Sequence, residues 1–249
     1  MGFLKSKHPF AAAQRGFIIS ISLVNAIYGI ILKRIFFMAN PVFQNDRYYH
    51  IYNRGVDKRE IFLGHRYYKR FLKTLLAVNR GEPIGSLFRY SLAVEESDSS
   101  KESDSLVDVV AYCLLPNHYH LVVRQKVDDG VSKLMHKVGV GYTNYFNYHN
   151  ERSGALFQGK FRAVEITSDD QLWYECAYVL GNRQIHGINN DFTGWNWSNW
   201  QDFQAEAPKG EHQDVLNGFK SKADFKAYIQ EVIQNSRSIK EARKVEEFI

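Results

Sequence analysis

Only two cysteines, Cys113 and Cys176, occur in 249 residues. A disulfide framework is therefore excluded as a source of stability, and a reducing, cytoplasmic setting is expected. No internal repeat is present. Charge of one sign is not extreme either: the formal net charge is +5 and the pI near 9.0, which fits a polyanionic partner without requiring one. A full-length membrane span is also missing. Residues 16–32 (GFIISISLVNAIYGIIL) are largely apolar, but this run sits at the short limit for a bilayer and carries Ser20, Ser22 and Asn25. No clear small-residue cleavage site follows it, which argues against a signal peptide. Residues 1–37 are expected to be an N-terminal extension, read as a mis-extended start before Met38, with a single-span anchor as the alternative.

What is present centres on residues 111–124, AYCLLPNHYHLVVR. Two apolar runs flank Pro116-Asn117, a turn or strand break. His118 and His120 follow at once, separated by Tyr119. On a strand these two imidazoles share one face, about 7 Å apart at the backbone, and Tyr119 points to the other layer. Two such rings can converge on one metal ion. The same pair on an arbitrary strand is also compatible with plain core or surface positions. Here the histidines interrupt an otherwise apolar strand, where unpartnered polar rings are costly, so a partner is expected.

The remaining pattern is mixed. Strands are expected at 47–54, 87–94, 107–115 and 118–124, the last two antiparallel neighbours. A helix over 65–79 would present Tyr68, Phe71, Leu72, Leu75 and Leu76. A second, over 129–150, carries Val131, Leu134, Met135, Val138, Tyr142, Tyr145 and Phe146 on one stripe, with Gly139 and Gly141 as possible kink points. Residues 155–166 are extended, and Ser168-x-x-Gln171 is a capping box opening a helix to about 182–186. An acidic, serine-rich loop insertion near 95–106 has no means of burying surface. A final helix over 223–248 has Phe225, Tyr228, Ile229, Val232 and Ile233 available for docking. These elements imply an α+β fold: an antiparallel sheet of split β-α-β type with helices packed on one face. The expected layout is the extension 1–37, a catalytic domain 38–200 and a helical extension 201–249.

On the helix after Ser168, Tyr174, Tyr178 and Asn182 recur at i, i+4 and i+8 and form one polar stripe beside an apolar one, Leu172, Cys176 and Val179. Taken alone, the tyrosines fit amphipathic packing equally well. The segments PNHYHLVV, RSGALFQGKFR and AYVLGNRQIHG, in that order, together with HIYNRG at residues 50–55, resemble the single-tyrosine HUH transposases, most nearly the REP-associated tyrosine transposases. The likeness covers roughly residues 48–187. One departure is Asn182-Arg183, where the family often has Asn-Pro; another is the acidic insertion.

The resemblance implies a ferredoxin- or RRM-like HUH nuclease core. It makes His118 and His120 metal ligands, Asn182 the third ligand and Tyr178 the nucleophile, with Tyr174 as competitor. It also implies a divalent cofactor, Mg2+ or Mn2+, and a partner of single-stranded DNA with hairpins, cut and rejoined through a 5′-phosphotyrosine. A monomer or homodimer is compatible with this. Arg54, Lys58, Arg124, Arg152, Lys160 and Arg162 are candidates for phosphate contact, and Phe157 and Phe161 for base stacking. The competing expectation is that the phenylalanines are core and the cations a solvated face. Two rival functions stay open: a non-catalytic hairpin-binding protein derived from a transposase, and a metal-dependent hydrolase that uses water.

Overall fold

The computed structural model describes residues 40–80, 105–188 and 190–246. The extension 1–37, the strand expected at 87–94 and the acidic insertion therefore lie outside the described residues or nearly so. Pro41–Ile249 forms one compact unit. No helix among the described residues is long and apolar enough to cross a membrane.

Four strands build the sheet: β1 (Tyr48–Arg54), β2 (Val107–Leu115), β3 (His118–Gln125) and β4 (Arg162–Ile166). Their spatial order is β2-β3-β1-β4 and every neighbouring pair is antiparallel. Helix α1 (His65–Asn79) connects β1 to β2, and helix α2 (Gly130–His149) connects β3 to β4. This is the split β-α-β arrangement: the strands joined through each helix leave room for a third between them. Pro116 and Asn117 alone separate β2 from β3, since Leu115 pairs with His118. The Pro116 carbonyl accepts from Ile61 N at 2.7 Å and Phe62 N at 3.0 Å, and the Asn117 carbonyl accepts from Gly55 N at 2.9 Å. The turn preceding the histidines is thus fastened to the loop after β1.

Alternation along the strands divides two cores. Tyr49, Ile51, Leu114, Tyr119, Leu121 and Val123 face α1 and α2. Helix α1 buries Tyr67, Tyr68, Phe71, Thr74, Leu75 and Val78. Leu76, expected inside, is 54% exposed because it lies about 100° round the helix from Leu75. Helix α2 runs through Gly139 and Gly141 as one continuous element.

On the opposite side, Val110, Ala111, Cys113, Leu115 and Val122 pack against α3 (Asp169–Ile185) and against α6 (Lys222–Glu246), with the short α4 (Trp200–Gln204) and α5 (Gly210–Leu216) beside them. Helices therefore cover both faces of the sheet, correcting the expectation of one. The reason is visible in β3, where seven of eight residues are buried, Arg124 being the exception. A strand buried on both sides needs two covering layers. A register shift between Val109 and Ala111 in β2 puts both Val110 and Ala111 into this second core.

Helix α3 begins at the expected cap, where Ser168 Oγ accepts from Gln171 N at 3.2 Å. The Gln171 side chain closes the box one residue early, its Oε1 accepting from Thr167 N at 2.9 Å. Leu172, Cys176 and Val179 lie in the core as the spacing requires. Helix α6 docks on α3 through Ile229 and Ile233, and Gly181 makes the approach possible. A Cβ there would stand 2.6 Å from Ile233 Cγ1.

Candidate active site

The face of the sheet that meets α3 carries His118 and His120 on β3 and His50, Tyr52 and Arg54 on β1. Pairing sets Tyr52 opposite His120 and Arg54 opposite His118. His50 reaches across to His120, its Nε2 lying 2.8 Å from His120 Nδ1. His50 Nδ1 in turn lies 2.8 Å from Glu175 Oε2 on α3. The His118 and His120 rings are 5.2 Å apart, centroid to centroid, and both side chains are nearly buried.

The ring of Tyr178 stands edge-on to both inner histidines, 5.8 Å from His120 and 6.2 Å from His50. Asn182 follows one turn later and is fully buried. Its carboxamide lies near enough to His118 to draw that imidazole's pKa upward. Yet neither Oδ1 nor Nδ2 of Asn182 completes a well-formed hydrogen bond. Proximity without bonding geometry reconciles the two observations. The helix thus delivers Tyr178 and Asn182 together to the imidazole pair.

Electrostatics favour neutral rings. Burial, aided by the Arg54 guanidinium, lowers the His118 pKa to about 4 despite the opposing Asn182. Burial and the neighbouring imidazoles push His120 well below the usual range. A neutral imidazole has one lone pair to offer. His118 Nδ1 sits 2.6 Å from Asn117 Oδ1. If that contact is donated by the ring, the lone pair is on His118 Nε2. Such an arrangement, two imidazoles and an orphaned carboxamide oxygen, fits a divalent cation, because nothing within the described protein satisfies Asn182. Among the described residues no group of three or more His, Cys, Asp or Glu side chains could hold a metal. Only a set that counts the carboxamide reaches three ligands.

Two other tyrosines lie beside these groups. Tyr52 stacks on His120 at 5.7 Å, and Tyr174 stacks on Tyr178 at 6.3 Å. Burial raises the pKa of both, Glu175 adding to the rise in each case. Their phenolates are therefore disfavoured. Tyr174 lies one turn before Tyr178, nearer the start of α3.

The expected nucleic-acid contacts separate into two groups. Arg54 lies at the His118 end of the sheet, its Nε buried without a hydrogen bond. Lys58 is in the adjoining loop, its carbonyl accepting from Asn117 Nδ2 at 3.0 Å. Arg162 begins β4 opposite Tyr52, and Lys160 is exposed just before it. The other four are placed differently. Arg124 lies six residues along β3, roughly 20 Å from His118 at the strand rise, and donates to Asp108 through two nitrogens at 2.9 and 2.7 Å. Arg152 donates to Asn147 Oδ1 at 2.6 Å and to the Ala155 carbonyl at 3.0 Å. Phe157 is buried against Tyr119 and Tyr142, and Phe161 stacks on Phe43 at 6.1 Å. All four make contacts within the fold.

Sequence reading missed His50, Glu175, His186 and Lys240 at this site. The His186 ring lies 4.7 Å from that of His118, and its Nε2 is 3.1 Å from Lys240 Nζ on α6. Residue 186 is exposed at the end of α3, yet desolvation of its ring, followed by the Lys240 charge, lowers its pKa. Only HIYNRG offered a signal for His50; Glu175 had none beyond its place on the α3 helix.

No family model matches the sequence, and no curated protein matches it. Among solved structures, one that is similar is a REP-associated tyrosine transposase bound to a REP hairpin. It has 14% identity and a TM-score of 0.49, with 70% of this chain and 89% of that chain covered. Another is tRNA(His) guanylyltransferase from Saccharomyces cerevisiae. That match has 10% identity and a TM-score of 0.28, with 81% and 82% covered. Likenesses this distant carry no argument about what the chain does.

Proposed function

We propose that this chain is a metal-dependent enzyme that cleaves and rejoins single-stranded DNA bearing hairpins, with Tyr178 as nucleophile. The observation that supports it most is the convergence of Tyr178, His120 and Asn182, with Asn182 buried and unsatisfied.

A phosphodiester resists attack because its oxygens are negative. A divalent ion, Mg2+ or Mn2+, held by His118, His120 and Asn182 would supply charge to a non-bridging oxygen and to the developing transition state. The residues of the chain do the rest. The Tyr178 hydroxyl loses its proton, and its oxygen forms a bond to phosphorus. The bond from phosphorus to the 3′-oxygen breaks, and that oxygen takes up a proton to leave a free 3′-hydroxyl. Tyr178 then carries the 5′-phosphate, so a second 3′-hydroxyl reverses the step without ATP. Arg54, Lys58, Lys160 and Arg162 at the same end of the sheet suit the flanking phosphates. The helical layer on this face shields the inner imidazoles from water, which strengthens each charge interaction.

The test is incubation of the full chain with Mn2+ and a labelled hairpin oligonucleotide, followed by denaturing electrophoresis. The wild type forms a denaturant-resistant adduct; Tyr178→Phe binds the hairpin and forms none. An adduct on Tyr178→Phe would move the nucleophile to Tyr174 or Tyr52. Cleavage without any adduct would establish water as nucleophile, and binding without cleavage a hairpin-binding protein.

A further inference from the structure

A buried chain of three side chains runs from α3 into the sheet and ends on the candidate metal ligand: Glu175, His50, His120. Both links are 2.8 Å. The Glu175 and His50 side chains are 7% and 6% exposed. A carboxylate only accepts, so the proton in the first link belongs to His50 Nδ1. A neutral His50 then has its lone pair on Nε2, and the second link must be donated by His120 Nδ1. The consequence for His120 is a single tautomer, with its lone pair on Nε2.

We infer that Glu175 and His50 are positioning residues that fix the ring orientation and tautomer of His120, so that Nε2 is presented to a divalent cation. The inference rests on the metal reading above and deepens it. A lone histidine on a strand has two rotamer-related ring orientations and two tautomers, and three of these four combinations present the wrong atom. Binding the cation must then include the cost of selecting the fourth. The Glu175–His50 chain makes that selection during folding, because α3 and β1 supply both groups before any ligand arrives. Asn117 gives His118 the same treatment from the β2–β3 turn, its Oδ1 lying 2.6 Å from Nδ1. Each imidazole of the pair is therefore held at Nδ1 by a different part of the fold. Outer hydrogen bonds of this kind typically change metal affinity by about tenfold to a hundredfold.

Glu175→Gln tests the chain with almost no change of shape. The amide can either accept from His50 Nδ1 or donate to it, and the second choice reverses both protons and places one on His120 Nε2. His50→Phe removes the link altogether, whereas His50→Gln keeps an oxygen able to accept from His120 Nδ1. Two readouts apply to the full chain. Free Mn2+ is measured by electron paramagnetic resonance during titration, and imidazole 15N shifts are measured in the metal-free protein. The expected result is a single Nδ1–H form of His120 in the wild type and a mixture in Glu175→Gln. Mn2+ affinity should fall about tenfold to a hundredfold in Glu175→Gln and His50→Phe, with partial recovery in His50→Gln. Equal Mn2+ affinity in wild type, Glu175→Gln and His50→Phe would overturn the inference and leave the metal site standing. A folded wild type that takes up no Mn2+ would overturn the metal reading itself, and the inference with it.

Discussion

Replacing Asn182 by leucine should change stability in opposite directions with and without metal. Leucine has the same branching as asparagine, and the residue is fully buried. In the metal-free protein both polar atoms of Asn182 lack a hydrogen bond. An unsatisfied buried polar group costs about 1–3 kcal/mol, and leucine adds a few tenths of a kcal/mol of helix preference in α3. Slight crowding by the larger methyl groups offsets part of this gain. The net expectation in EDTA is a variant more stable than wild type by about 1–2 kcal/mol, or a few degrees in Tm. Saturating Mn2+ reverses the order. At a hundred times its Kd the ion stabilises the wild type by about 2.7 kcal/mol, and the variant, lacking one ligand, by much less. Urea melts with EDTA or with Mn2+ measure both quantities. A leucine variant that loses stability in EDTA would mean that the carboxamide is satisfied by the fold. Equal stabilisation of both proteins by Mn2+ would remove Asn182 from the ligand set.

Acid should destabilise the metal-free protein between about pH 6.5 and pH 4. The folded state holds the His118 pKa near 4, against 6.5 for the free group, so over that window the unfolded chain takes up a proton that the folded one refuses, and stability falls as pH falls. At about 1.4 kcal/mol per pH unit the loss from this residue is on the order of 3 kcal/mol over the window, and His118→Asn should reduce the measured loss by about that much; an unchanged loss would refute the burial argument. Gly181→Val should cost about 1–3 kcal/mol by wedging α3 from Ile233, and Ile233→Ala in that background should recover part of it, a coupling absent if the helices are free to separate. Phe157→Ala should cost about 3–5 kcal/mol of stability while leaving the hairpin affinity of the folded protein unchanged. Selective loss of affinity would return Phe157 to a base-stacking role.

Much of the fold was legible because its signals are local. The β2–β3 hairpin could be read from Pro116-Asn117, the start of α3 from Ser168 and Gln171, and the shared face of His118 and His120 from strand alternation alone. What escaped was set by pairings distant in the sequence. His50 and His120 are separated by 70 positions, so nothing in a window around either residue signals their contact. Arg124 and Asp108 meet only because β2 and β3 align them. Phe157 alternates with polar residues in a segment that reads as extended, and its burial follows from the bridge it forms with Gly55. The second helical layer was missed for a related reason. The sequence of β3 does not say which later segment supplies the cover on its second face.

That second layer explains why the site has its form. A split β-α-β sheet with helices on one side alone would leave His50, His118 and His120 in water, where each imidazole would be free to turn. Covering them with α3 makes three things happen at once. Burial keeps His118 and His120 neutral, Glu175 reaches His50, and Tyr178 arrives with Asn182 beside the imidazole pair. The position of α3 is in turn held from behind by α6, through a contact in which a Cβ at residue 181 would press on the Ile233 side chain. Gly181 immediately precedes Asn182, so the closest approach of the two helices and the candidate ligand occupy the same turn. A displacement of α6 would thus be felt first at the carboxamide. Substitutions at Ile233, which touches none of the imidazoles, should therefore weaken Mn2+ binding before they unfold the sheet. Hydrogen exchange of α3 amides in Ile233→Ala, measured beside its Mn2+ affinity, separates this coupling from simple loss of stability: affinity that falls while β1 and β3 stay protected supports it, and affinity that holds until the whole sheet opens refutes it.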